Sequence, residues 1–175
     1  MRFLSACFGA LVLGFVIPAV AAPKTAAAPP APANAAPKEI GRYKNWIAAR
    51  HTESGHDICY AFTRAGSDNP ATGSGPVLSV TDRPNGRDET AISGGPAYPK
   101  DTTVTLQVDQ AGLDFYTAGH DAFARDNKAA VAAFQRGSTA VARIAGARGP
   151  ATLTFSLDGF SAAHDAIEKA CPAPH

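Results

Sequence analysis

Three His-Asp dipeptides, His56-Asp57, His120-Asp121 and His164-Asp165, are the residues in this 175-residue chain whose types most suggest chemistry. A histidine beside a carboxylate serves proton transfer, and the same two groups ligate divalent metals. Adjacency does not supply the geometry, because neighbours point to opposite faces of a strand and diverge by about 100° around a helix. An acid–base or metal site would have to be assembled by the tertiary fold, and the dipeptides read as exposed loop or helix-surface polar residues. A cleft gathering two of His51, His56, His120 and His164 with an acid within about 3 Å would favour a small hydrolase or metal-dependent enzyme. Scattered histidines would remove that alternative.

Other chemical motifs fail on inspection. Gly73-Ser74-Gly75 lacks the flanks of a nucleophile elbow, and no Gly-rich loop is followed by Lys-Ser or Lys-Thr as phosphate binding requires. The stretch Asp68 to Pro76 reads as a flexible surface loop. Sixteen Lys and Arg stand against 15 Asp and Glu, so no basic surplus is available for phosphate contacts and a nucleic-acid partner is excluded. Arg83, Arg87, Arg143 and Arg148 are scattered among acids, without aromatic interleaving for base stacking. Tyr43 and Trp46 could form a binding surface, although a single Trp in a first strand reads as core.

The elements that must position these residues are mostly strands. Thr102 to Val108 alternates, with Val104, Leu106 and Val108 on one face and Thr103, Thr105 and Gln107 on the other. Asp109-Gln110-Ala111-Gly112 reads as a turn, after which Leu113 and Phe115 continue the alternation in a hairpin. Thr139 to Ala145 and Ala151 to Leu157 repeat the pattern around Gly146-Ala147-Arg148-Gly149-Pro150, with Leu153, Phe155 and Leu157 inward. Trp46 to Ala49, Asp57 to Thr63, Val77 to Thr81 and Glu89 to Ser93 are shorter strands between Gly, Pro, Asn and Asp clusters.

Two segments follow the helical period instead. Asp126 caps a helix over Asn127 to Arg136 that Gly137 terminates. A second helix runs from about Ser161 to Cys171, with Ala162, Ala163, Ala166, Ile167, Ala170 and Cys171 as its apolar stripe, and Pro172 stops it. The expected class is α+β: mostly antiparallel β and sandwich-like, with two short helices at about 126–136 and 161–171.

Arg2, the apolar run Phe8 to Val20 and the small residues Ala19 and Ala21 have the order of a signal peptide over 1–21, cleaved after Ala21. Leu4-Ser5-Ala6-Cys7 has lipobox letters but precedes the apolar core, so acylation of Cys7 is not expected. Residues 22–38 carry five prolines, Pro23, Pro29, Pro30, Pro32 and Pro37, among alanines. Such a run lacks large apolar side chains to bury and reads as a flexible spacer. A single β-rich domain over 39–172 remains. No later segment is long enough for a transmembrane helix, which places the mature chain in the periplasm or outside the cell.

Export leaves two cysteines. Ala163, Ile167 and Cys171 share a helical stripe, so Cys171 lies on a buried face. In the strand Ile58-Cys59-Tyr60-Ala61-Phe62, Cys59 and the small Ala61 should lie under the last helix while Ile58, Tyr60 and Phe62 face a sheet core. An oxidising compartment should pair Cys59 with Cys171, a closure of more than 100 residues contributing roughly 4 to 5 kcal/mol in the chain-entropy model. The absence of C-x-x-C argues against a redox or metal-binding thiol.

The assembled residues resemble the invasion-associated locus B family of exported alphaproteobacterial proteins. The resemblance is carried by the Trp46 strand, the Cys59-Tyr60 step, Tyr98-Pro99, Arg136-Gly137, Ala147-Arg148-Gly149, Phe155 through Ala163, and the closing Cys171. Pro150 stands where the family has Thr, Phe155 where it has Tyr, and Ala122-Phe123-Ala124 where it has Ala-Trp-Ala. The resemblance implies an exported envelope protein, connected in some pathogens with host-cell entry. No catalytic, cofactor-binding or metal-ligating residue is assigned, and no cofactor is implied. The expected function is non-enzymatic binding of an unknown protein, envelope or host-surface partner, with the disulfide Cys59–Cys171 as the assigned site pair.

Overall fold

The structure is a computed structural model, and it describes residues 36–66, 74–95, 97–99, 101–146 and 149–173. The expected signal peptide, nearly all of the expected spacer, most of the stretch Asp68 to Pro76, and Ala147-Arg148 lie outside these residues.

Among the described residues ten strands form one antiparallel sheet: β1 (Lys38–Tyr43), β2 (Trp46–Glu53), β3 (His56–Arg64), β4 (Val77–Arg83), β5 (Gly86–Ser93), β6 (Thr103–Val108), β7 (Ala111–Ala118), β8 (Asp121–Ala124), β9 (Thr139–Gly146) and β10 (Gly149–Ser156). Helix α1 spans Asn127–Arg136 and α2 spans Phe160–Ala170. The strand order is β1-β2-β3-β4-β5-β8-β7-β6-β9-β10. Two five-strand halves meet at β5 and β8, where only Ala91↔Phe123 and Ile92↔Ala122 pair. So short a junction lets the sheet fold over itself, sandwich-like, and the inner faces share one core. This is the mostly antiparallel α+β architecture read from the strand alternation.

Alternation selects the inner face. Val104, Leu106 and Val108 of β6, Ala140, Ala142 and Ile144 of β9, and Leu78 and Val80 of β4 all enter the core. The halves are also held by hydrogen bonds: Trp46 Nε1 donates to the Ser156 carbonyl at 2.9 Å, and Gly66 N–H donates to that of Thr154 at 2.9 Å. Trp46 is fully buried and serves the core rather than a binding surface.

The helices behave as their caps dictate. The Asp126 carboxylate accepts from Ala129 N–H, and Gly137 N–H donates to the Ala133 carbonyl. Helix α2 is preceded by the N-cap Gly159, whose φ of +96° favours glycine. A Cβ there would overlap the Tyr43 carbonyl oxygen in the β1–β2 turn. This close approach seats Phe160 edge-on against Trp46 (centroids 4.9 Å) and Phe134 of α1 (5.4 Å).

Several expectations need correction. Strands β1 and β8 have no period long enough to read from the sequence, being an edge strand with a register shift and a four-residue segment. Helix α2 starts and ends one residue earlier than expected, with Cys171 as its C-cap, and Ala162 is exposed while His164 joins the buried stripe. On β3, Cys59 and Ala61 lie on the face that α2 covers, as expected, but that face is the main core: Tyr60 and Phe62 are half-buried on the outer face, and only Ile58 of the large set is buried. The small residues are needed inside, where α2 packs close to β2 and β3. The large rings instead cover one another, with Tyr60 against Phe62 at 6.0 Å, His51 against Tyr60 at 5.7 Å and the Arg64 guanidinium 5.9 Å over Phe62.

Candidate functional site

The β4–β5 hairpin presents charge to the buried face of α2. Leu78, Val80 and Asp82 alternate inward along β4, so the strand period itself drives a carboxylate into the interior. Asp82 is fully buried. Its Oδ1 accepts from Asp88 N–H at 3.0 Å, and its Oδ2 lies 2.9 Å from Arg87 Nη2 in an ion pair whose angle is not that of a hydrogen bond. Burial pushes the Asp82 carboxyl above the usual carboxylate range. The Asp88 N–H, Arg87 and His164 oppose that shift, while the Asp88 charge adds to it.

Asp88 adopts a φ of +58° beside the β4–β5 register shift, a conformation Asp tolerates better than most residues. This turns its carboxylate toward α2, where Oδ1 lies 2.8 Å from His164 Nε2. His164 is only 3% exposed. Its Nδ1 has no hydrogen-bond partner and faces Glu168 Oε2 at 3.8 Å, one turn along α2. Arg87 completes the cluster by donating from Nη1 to the Cys171 carbonyl.

Cys171 is disulfide-bonded to Cys59, with Cα atoms 5.9 Å apart and a sequence separation of 112. Cys59 is the register partner of Asp82 across β3 and β4. The disulfide and the buried charges are therefore one junction, fastening the C-terminal end of α2 to the hairpin. A cleft of about 240 Å³ opens beside it, bordered by Asp57, Arg83, Arg87 and Cys171.

The other described histidines are not drawn to this junction. His56 is exposed at the start of β3, while Asp57 pairs across the strands with Thr52 and Arg50. His51 packs on Tyr60 and lies 4.0 Å from Glu53. His120 is exposed in the β7–β8 turn, its Nδ1 3.1 Å from the Gly95 carbonyl oxygen. Among the described residues His164 alone has a carboxylate within 3 Å, and that carboxylate is Asp88 rather than the adjacent Asp165. His164 was read as a surface residue and is instead buried, because the spacing of Phe160, Ala163, His164 and Ile167 puts it on the inner stripe. Asp82, Arg87 and Asp88 were missed, although the inward alternation of Leu78, Val80 and Asp82 was a usable signal.

A second region lies on the outer surface. Tyr116 is 44% exposed, stacks on Phe123 at 5.5 Å and carries the Arg125 guanidinium 5.7 Å over its ring. It borders a cleft of about 660 Å³ with Tyr98, Pro99, Asp101, Thr102 and Arg125. Burial, with a smaller contribution from Asp121, pushes the Tyr98 phenol up.

A folded-over antiparallel sheet closed by a terminal helix, with a disulfide fastening that helix to β3, defines a β-rich structural class. The chain belongs to the invasion associated locus B (IalB) family, whose model matches residues 46–168. The crystal structure of invasion associated protein B from Bartonella henselae is similar, with a TM-score of 0.54 and 20% identity. The match covers 74% of this chain and 95% of that one, and it is a likeness of fold. No curated protein matches the chain.

Proposed function

We propose that this chain is an exported envelope protein that acts by holding a protein partner, in the envelope or on a host surface, and not by catalysis. A signal peptide over 1–21 and a spacer over 22–38 deliver the folded domain to the periplasm or beyond it. The observation that carries the reading is the exposed Tyr116, stacked on Phe123 and topped by Arg125. Tyrosine and arginine dominate the energetics of protein interfaces because they offer large contact areas with few rotors and polar ends. The stack has no core to serve, since the inner face of the sheet is filled without it.

A hydrolytic reading would rest on the His164–Asp88 pair, but a general base must reach its substrate and this ring is almost wholly enclosed. The binding reading is tested by capturing partners from periplasmic and host-membrane extracts on immobilised protein. Saturable capture that falls at least about tenfold in Tyr116→Ala and Arg125→Ala is expected for interface anchors of this type. Repeated absence of a saturable partner, or capture that both variants leave unchanged, would overturn it.

A further inference from the structure

We propose that His164, Asp165 and Glu168 on α2 form a binding site for a divalent first-row cation such as Zn²⁺, with Asp88 orienting the histidine. One imidazole nitrogen and one oxygen from each carboxylate lie within 4.8 Å of one another. Exposed acids alone would carry no such inference. The independent observation is the histidine: its ring is 3% exposed, and Nδ1 is buried without a hydrogen-bond partner. A buried polar atom left unpaired is costly, and it points to a missing ligand.

The tautomer follows from the partner. An ionised carboxylate only accepts, so Nε2 must donate to Asp88 Oδ1 across the 2.8 Å contact. In the neutral ring the lone pair is then on Nδ1, on the side of Glu168. Metal-ligating histidines are commonly held this way, with the far N–H given to a carboxylate that sets ring orientation and raises basicity. Asp88 comes from the β4–β5 hairpin, 76 residues from His164 in sequence, so the arrangement belongs to the fold and not to the helix alone.

The dimensions suit a small cation. Bonds of about 2.1 Å at tetrahedral angles place two ligand atoms roughly 3.4 Å apart. Nδ1 and Glu168 Oε2 are 3.8 Å apart, and the Glu168 side chain is 51% exposed, so a small rotation closes the difference. One imidazole with two carboxylates favours a borderline ion over Ca²⁺ or Mg²⁺, and water fills the remaining positions. Bound there, the ion would tie the last two turns of α2 together beside the disulfide.

The site is tested by titrating untagged, disulfide-intact protein with Zn²⁺ by calorimetry and with Co²⁺ by visible spectroscopy. One-to-one binding is expected, with a Co²⁺ spectrum of low-symmetry nitrogen and oxygen coordination. Glu168→Gln and Asp165→Asn should each weaken it about tenfold or more, and Asp88→Asn, which touches no metal, should weaken it about 10- to 100-fold. The Asp165 and Glu168 changes are at exposed positions, so these variants keep the test valid if Asp88→Asn does not fold. Absence of saturable binding, or binding unaltered by the double variant Asp165→Asn/Glu168→Gln, would overturn the proposal. A site at the chain-terminal His175 would give that second outcome.

Discussion

At the scale of single residues, Asp82 carries the clearest electrostatic consequence. Its carboxyl is raised chiefly by burial, so the folded state holds the proton more tightly than the unfolded chain does. The resulting stabilisation is complete below the unfolded value of about 3.9 and is lost as pH rises through the higher folded value. Urea denaturation across a pH series should therefore show the native protein losing stability relative to Asp82→Asn as pH climbs from about 3.5 toward neutrality. A flat difference would mean that Arg87 and the Asp88 N–H fully offset the burial. The residue types behind this behaviour were legible, since Asp82 follows Leu78 and Val80 at inward positions. The partners were not, because Arg87 and Asp88 reach it only through the β4–β5 register shift and the positive φ of Asp88.

At the scale of elements, the junction of α2 with β3 and β4 is held in three ways: the disulfide, the Arg87 bond to the Cys171 carbonyl, and the His164–Asp88 contact. The cross-link closes a 112-residue separation, for which the chain-entropy model gives roughly 4 to 5 kcal/mol. The Cys59→Ala/Cys171→Ala double variant should lose stability of that order in urea, with its midpoint lowered and its slope steepened, because the unlinked denatured chain exposes more surface. A loss under about 1 kcal/mol would show that packing of Phe160 and Ile167 already restricts the helix. Hairpin β6–β7, helix α1 with its Asp126 cap and the Gly159 corner were readable because each depends on neighbours in sequence. The placing of Cys59 and Ala61 under α2 was readable too, but not the half-exposed setting of Tyr60 and Phe62, because a strand apolar on both faces does not reveal how fully its second face is covered.

At the scale of the whole molecule, the proposed export would link the sequence to the disulfide. If the segment 1–21 directs secretion, the recovered protein should begin at Ala22 by mass spectrometry, occur in the periplasmic or extracellular fraction, and resist thiol alkylation until reduced. Cytoplasmic protein with both thiols free would remove the compartment argument. Among the described residues no helix is long and apolar enough to cross a membrane. The outer surface carries the Tyr60–Phe62 and Tyr116–Phe123 stacks. Among the described residues Tyr116 is the only large hydrophobic side chain that is substantially exposed.

The sequence by itself determined the β-rich class, most strand positions, both helices and the likeness to the IalB family, because alternation, helical period and capping act over a few neighbouring residues. Tertiary structure decided that β8 lies between β5 and β7, that the Tyr60 and Phe62 face of β3 stays half-exposed, and that His164 meets Asp88 instead of Asp165. Local spacing treats the two faces of a strand alike, so only long-range packing can decide how fully each is covered. The contacts nearest to chemistry in this protein depend on that packing.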